Sequence, residues 1–215
     1  MSKGRTFIEP LILYWVLFLP AWGPPSVAAA PAIFSLSQEL GRIFAYNLPS
    51  LALIVYLLRS DPGGRLRPRT RDLGTVLIAL PGLLVLGVLV TLLGSLLPFP
   101  VSVPAIEGPR GPAAFPVMIL SCLSTGYLEE TYFRLYLFTR FKEGGIRLMK
   151  AMTVSSLLFA LCHIYEGPLG VLYAFLAGLL LFFIFSRRQS IHGIAWAHGG
   201  YNVFVYIMAI LEIPF

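Results

Sequence analysis

Glu129, Glu130 and Arg134 stand within six positions of one another in a stretch that is otherwise apolar. Two further polar groups interrupt apolar segments downstream: His163 in the next one, and His198 with Asn202 in the last. Carboxylates and imidazoles are the side chains that move protons, and an amide beside an imidazole supplies donors to a developing negative charge. Charged groups at membrane depth cost several kcal/mol each, so three of them kept this close together point to use rather than accident. The chemistry these types suggest is hydrolysis by an activated water inside a membrane.

Spacing suggests roles. Glu130 and Arg134 are four residues apart with the acid first, the favourable order for an ion pair along a helix, and Glu129 is turned about 100° from Glu130. Pairing of Glu130 with Arg134 as structural support leaves Glu129 to face a cavity as general base, with His163 sharing the proton or orienting the attacking water. His198 and Asn202, also four apart and so on one helix face, offer two donors towards a common point, which is what an oxyanion requires. Each residue has a plainer reading beside this one. A lone intramembrane histidine or asparagine often just bonds a neighbouring helix, and this is the competitor for His163, His198 and Asn202. Phe159 and Tyr201 read as packing groups, His192 as an interfacial residue, and Cys122 and Cys162 as apolar filler.

These residues need elements to carry them to one place. The chain is 57% hydrophobic and 12% charged, where soluble domains carry about 25% charged residues. With a mean hydropathy of +0.81, it reads as an integral membrane protein. About 20 helical residues cross about 30 Å of hydrocarbon. Apolar runs of roughly that length fall at about residues 8–24, 38–58, 73–97, 113–139, 148–165, 167–186 and 190–212. The expected fold is therefore all-α, a polytopic transmembrane bundle of about seven helices forming a single domain over residues 1–215, with the motif-bearing core at about 113–212. Alternating strands of a barrel are absent from the pattern.

Thirteen of the sixteen basic residues fall in four alternate segments: before the first helix (Lys3, Arg5), between the second and third (Arg59 to Arg71), between the fourth and fifth (Arg140 to Lys150), and at Arg187 and Arg188. The positive-inside rule then puts the N-terminus in the cytoplasm and the C-terminus outside a cell membrane. The net charge of +6 is accounted for by these topology signals and by anionic lipid heads, without nucleic acid as a partner. Lys3 and Arg5, the apolar run from Leu11 to Leu19, and Ala28 to Ala30 also resemble a cleavable secretory signal; the downstream topology favours an uncleaved first helix. The segment Arg59–Asp72 reads as a basic turn and Pro98–Pro116 as a proline-rich outer loop, while Tyr165–Pro168 reads as a tight reversal. Counting about 1.5 Å per residue from the cytoplasmic basic residues, Glu129 lies about 16 Å deep, His163 about 20 Å and His198 about 15 Å. One level near the midplane serves all three.

Glu129-Glu130-x-x-x-Arg134, then Phe159-x-x-x-His163, then His198-x-x-x-Asn202, in this order on successive or near-successive apolar segments, resembles the three-motif pattern of the CPBP family. That family groups CAAX prenyl endopeptidases, bacteriocin-processing enzymes and Abi proteins. The resemblance runs from about Leu120 to Tyr206; Leu135 departs from it, since many relatives carry glycine after the arginine. It implies a glutamate-dependent intramembrane endopeptidase acting on a membrane-embedded or membrane-associated polypeptide, with Glu129 and His163 activating water and His198 with Asn202 holding the oxyanion. No cofactor is expected. The alternative is a zinc form using Glu129, His163 and His198, although a His-Glu-x-x-His motif is missing.

Other intramembrane chemistries fit less well. An aspartyl protease needs two intramembrane aspartates, but Asp61 and Asp72 are the chain's only ones and both fall in one expected loop. A serine enzyme of the rhomboid kind wants Gly-x-Ser-Gly, which the residues around Ser124 do not supply. A proton-coupled transporter or a non-catalytic scaffold also uses buried carboxylates and histidines, and inverted repeats, which would favour the transporter, are not apparent.

Overall fold

A computed structural model describes residues 4–18, 34–58, 66–97 and 108–212. The small-residue run Ala28–Ala30, Lys3, and the whole of residues 59–65, with Asp61, and 98–107 lie outside the described residues. Seven helices account for nearly all that is described: α1 (residues 4–18), α2 (Leu36–Leu57), α3 (Thr70–Ser95), α4 (residues 114–143), α5 (Leu148–Leu161), α6 (Gly167–Arg188) and α7 (Ile191–Ile210). Among the described residues there is no strand, and the all-α bundle expected from the apolar runs is the fold observed.

Three helical stretches, Leu36–Leu57, Thr70–Ser95 and Ile164–Arg188, are long and apolar enough to cross a membrane, while α1 and α5 are shorter apolar helices. α4 and α7 carry the polar residues singled out above. Large apolar side chains stand outward on α3, with Leu77, Val85 and Leu89 all exposed. The inward side of the same helix holds Asp72 and Thr75, both buried. An apolar exterior around polar interior contacts is the arrangement expected where lipid is the solvent.

α7 packs between α3 and α4, and α5 packs on α6. Small residues set the first of these contacts. A Cβ on Gly126 of α4 would stand 2.8 Å from the Ala195 carbonyl oxygen and 2.9 Å from the Gly199 nitrogen of α7. One on Gly199 would in turn stand 3.0 Å from the Leu123 Cα. Two backbones meet here with no room for a side chain, the way membrane helices gain close contact when hydrophobic exclusion cannot drive them together. α1 is strapped to α4 by hydroxyls: Tyr132 donates to the Pro10 carbonyl at 2.7 Å and Tyr136 to Glu9 Oε1 at 2.7 Å. Tyr14 ties α1 to α5 by donating to the Leu158 carbonyl at 3.0 Å.

Two boundaries differ from the sequence expectation. Asp72, expected in a loop, lies in the first turn of α3, where it accepts the Arg69 amide at 2.6 Å and the Ser190 hydroxyl. It caps α3 and clasps it to the start of α7. The fifth helix, expected to run to residue 165, ends at Leu161. The chain then turns through Cys162 and His163 into a single 3₁₀ turn, Ile164–Glu166. Gly167 at φ +78° and Pro168 behind it start α6, a backbone sequence that no continuous helix can accommodate. The depth count for His163 therefore holds along the helix only as far as Leu161, about 16 Å from Lys150.

Candidate active site

The site is built where α4 and α7 touch and α5 ends against them. Glu130 is one turn along α4 from Gly126, and His198 is the neighbour of Gly199, so the glycine contact sets the distance between the acids and the imidazole. His198 Nδ1 lies 2.8 Å from Glu130 Oε1, and its Nε2 lies 3.5 Å from Glu129 Oε2. A carboxylate accepts, so the Nδ1–H donates to Glu130 and Nε2 is left facing Glu129. Each nitrogen of one imidazole is thus turned to one of two adjacent glutamates.

Glu130 and Arg134 are both fully buried and lie 3.1 Å apart, Nε to Oε2. Between them the backbone of α4 widens into a π-type turn over Thr131–Tyr136, closed by the Leu137 amide on the Tyr132 carbonyl. Such turns add a residue to one helical turn and re-aim the side chains beyond it. The guanidinium touches Glu130 without hydrogen-bond alignment, and among the described residues none of its N–H groups makes a hydrogen bond. Its other close contact is aromatic: Arg134 Cζ stands 4.2 Å from the centroid of the Phe159 ring.

Glu129 differs from Glu130 in being partly open, with a side chain 16% exposed against 0%. It is the less enclosed carboxylate of the pair. His163, in the turn after α5, donates Nδ1–H to the Phe159 carbonyl at 2.8 Å. A carbonyl oxygen only accepts, so in the neutral ring the lone pair is at Nε2. Its ring centroid lies 4.6 Å from that of Phe159, which is also 5.8 Å from His198 and edge-on to it. Glu129, Glu130, Arg134 and His198 are thus in direct contact, and His163 joins them through Phe159. Asn202 is half-buried one turn beyond His198 on α7, and its side chain makes no hydrogen bond to a described residue.

Among the described residues no three of His, Cys, Asp and Glu are gathered as a metal-ligand set. Of the zinc alternative's residues, His198 has Nδ1 on Glu130 and His163 has Nδ1 on a carbonyl, so Nε2 is the nitrogen left over in each ring. Cys122 and Cys162 are free, buried thiols. His192 is not at the site: it meets the Tyr127 hydroxyl at 2.9 Å and the Leu66 carbonyl at 3.0 Å, tying α7 to α4 and to the start of the described segment before α3.

A polar seam between α2 and α4, not expected from the sequence, backs the site. Arg42 donates Nε–H and Nη2–H to Ser121 Oγ at 3.1 and 2.7 Å, and Asn47 donates to Ser124 Oγ at 2.8 Å and Thr125 Oγ1 at 3.1 Å. Glu39 accepts from the same Ser121 hydroxyl and pairs with Arg42. The signal for it was present: Ser121, Ser124 and Thr125 recur at helical spacing on the stretch that leads to Glu129.

With this geometry in place, comparison with known proteins adds a family. Residues 111–204 match the family described as type II CAAX prenyl endopeptidase, Rce1-like. The match, over a little less than half of the chain, supports the resemblance to the CPBP family of CAAX proteases. The matched region holds every residue of the candidate site, from Glu129 to Asn202. CAAX proteases act on polypeptides in a membrane setting, and the match supports peptidase activity at the level of the family only. No curated protein and no solved structure matches the chain significantly.

Proposed function

We propose that this chain is a glutamate-dependent, multi-pass intramembrane endopeptidase that hydrolyses a peptide bond of a membrane-associated polypeptide without a metal. The observation that carries the proposal is the division of labour between the two acids: Glu130, fully buried, is engaged by His198 and Arg134, while Glu129 has a partly open side chain beside His198 Nε2. A family resemblance alone would not separate the two.

In the proposed reaction Glu129 takes a proton from a water while the water oxygen attacks the scissile carbonyl carbon. His163, its Nδ1–H held on the Phe159 carbonyl, presents Nε2 to accept a hydrogen bond from that water. The carbonyl oxygen becomes an oxyanion, to which the Asn202 amide and His198 Nε2–H donate. Nδ1–H of His198 stays on Glu130, so the ring donates at Nε2 as the imidazolium, with Glu130 in the orienting place that a buried carboxylate takes beside a catalytic histidine. Collapse of the intermediate breaks the C–N bond, and the proton held by Glu129 passes to the leaving amine. The products are one new carboxylate and one new amine.

The membrane setting supports a substrate that arrives from lipid, and the family match makes a prenylated C-terminal Cys-aliphatic-aliphatic-X peptide the first substrate to try. Purified protein in detergent is to be incubated with such a farnesylated peptide and the products read by mass spectrometry. Cleavage by the wild type and none by folded Glu129→Gln is the expected result. Equal cleavage by both sinks the assignment.

A further inference from the structure

Phe159 touches more of the site than any role as filler requires. It is 2% exposed, and one face of its ring lies 4.2 Å from the Arg134 guanidinium carbon. The same ring lies against the His163 imidazole at 4.6 Å and meets His198 edge-on at 5.8 Å. Its carbonyl oxygen takes the His163 Nδ1–H at 2.8 Å. Phe133, itself fully buried, braces the ring edge-on at 5.2 Å. Side chain and backbone of one residue therefore meet a cation and two imidazoles on three different segments, α4, α7 and the turn after α5.

The Arg134 contact gives this arrangement its chemistry. The guanidinium is wholly buried and none of its N–H groups is hydrogen-bonded to a described residue. Besides Glu130 and the neighbouring Glu129 carboxylate, what meets its positive charge is aromatic, the Phe159 face at 4.2 Å and Phe133 farther off at 5.7 Å, and the quadrupole of such a face is negative at the centre. Arg134 meets Glu130, and Glu130 accepts from His198 Nδ1. A shift of the guanidinium off the ring moves Glu130, and a shift of Glu130 moves or re-protonates His198. The same ring also limits where His163 can lie.

We infer that Phe159 is a positioning residue for the reaction proposed above: its π face seats Arg134, and through Arg134 and Glu130 it sets the protonation pattern and orientation of His198 while its edge and carbonyl hold His163. The inference rests on that functional reading only for its kinetic consequence. Its structural content stands by itself.

The test separates the face of the ring from its bulk. Pentafluorophenylalanine placed at position 159 keeps the shape but removes the negative face, so a purely space-filling role leaves the site unchanged. The chain has three histidines, and His192 lies outside the ring's contacts, so ¹⁵N-histidine spectra in detergent carry an internal control. Expected is a changed tautomer or protonation pattern at His198, an unchanged His192, and a kcat on the farnesylated peptide lowered roughly tenfold with KM within about twofold, the size of one desolvated cation–π contact. Phe159→Tyr keeps the face and is expected to behave as wild type. A wild-type His198 pattern in the fluorinated protein overturns the inference whatever the kinetics. A changed pattern in a protein whose wild type cleaves nothing upholds the positioning and overturns the proposed function instead. Mono- and trifluorinated phenylalanine give a graded series that keeps the decision open to refutation if the fully substituted protein is poorly made.

Discussion

A Cβ on Gly126 would stand 2.9 Å from the backbone nitrogen of Gly199, and this contact between α4 and α7 is what brings two glutamates on one helix within reach of an imidazole on another. Atoms do not approach a Cβ that closely, so any side chain at either position pushes the helices apart. Gly126→Ala is expected to lower the thermal stability in detergent, with overpacking costing about 1–3 kcal/mol, and to reduce cleavage by more than the fraction unfolded. Gly200→Ala is the control, since a Cβ there meets nothing closer than 3.8 Å. Equal stability and activity in Gly126→Ala and Gly200→Ala would remove the glycine contact from the account.

The two acids are expected to fail differently. Glu130→Gln leaves Arg134 buried without its counter-charge, a loss of about 3–5 kcal/mol when one member of a buried pair is removed. It should therefore express poorly or melt early, while Glu129→Gln, at a partly open position, should fold as wild type and be inactive. Thermal melts in detergent beside cleavage assays decide this. A stable Glu130→Gln enzyme would mean that Arg134 finds its compensation elsewhere, with the Phe159 face the first candidate.

Much of this arrangement is legible in the sequence. The seven apolar runs correspond to seven helices among the described residues, and a helix is one of the few solutions to backbone hydrogen bonding that lipid allows. The i, i+4 spacing of Glu130 and Arg134 put them on one stripe of α4, where they are in contact. The contact of His198 with Glu130 was not legible, because it depends on how α7 is rotated against α4, and periodicity along one helix says nothing of rotation between two. The end of α5 was missed for another reason. Apolar residues continue to Tyr165, but Gly167 and Pro168 turn the backbone, and hydropathy does not see the turn that places His163. Phe159 was recognisable in the sequence as an aromatic packing group and no more; its contacts with Arg134 and both histidines are tertiary.

Asn202 extends its half-buried amide from α7 one turn beyond His198. As an oxyanion donor it acts on the intermediate rather than on bound substrate, so Asn202→Ala is expected to lower kcat by about 10²- to 10³-fold with KM little changed. An interhelical bonding role predicts the opposite balance, a loss of thermal stability with turnover per folded molecule preserved. Steady-state kinetics normalised to folded protein distinguishes the two.

Water activation by Glu129 and His163 needs no Lewis acid. Protein dialysed against a strong chelator is expected to retain full cleavage, and elemental analysis is expected to find no metal in stoichiometric amount. Restoration of lost activity by zinc, and not by magnesium or calcium, would make Glu129, His163 and His198 ligands instead, the imidazoles binding through Nε2.

The side on which cleavage occurs is set by the basic residues. Arg140 and Lys142 close α4, with Arg140 about 16 Å along that helix from Glu129, and Arg187 with Arg188 close α6 just before α7, on which His198 lies about 10 Å from Ile191. The positive-inside rule predicts that those ends are cytoplasmic, and the proposed cavity is then expected to open inwards with the N-terminus in the cytoplasm. Lys142 and Arg187 are exposed, and the native Cys122 and Cys162 are buried, so single cysteines at 142 and 187 report cleanly. Lys142→Cys and Arg187→Cys should resist a membrane-impermeant thiol reagent in intact cells and react in inverted vesicles. Reaction in intact cells would invert the topology and with it the face on which substrate is cut.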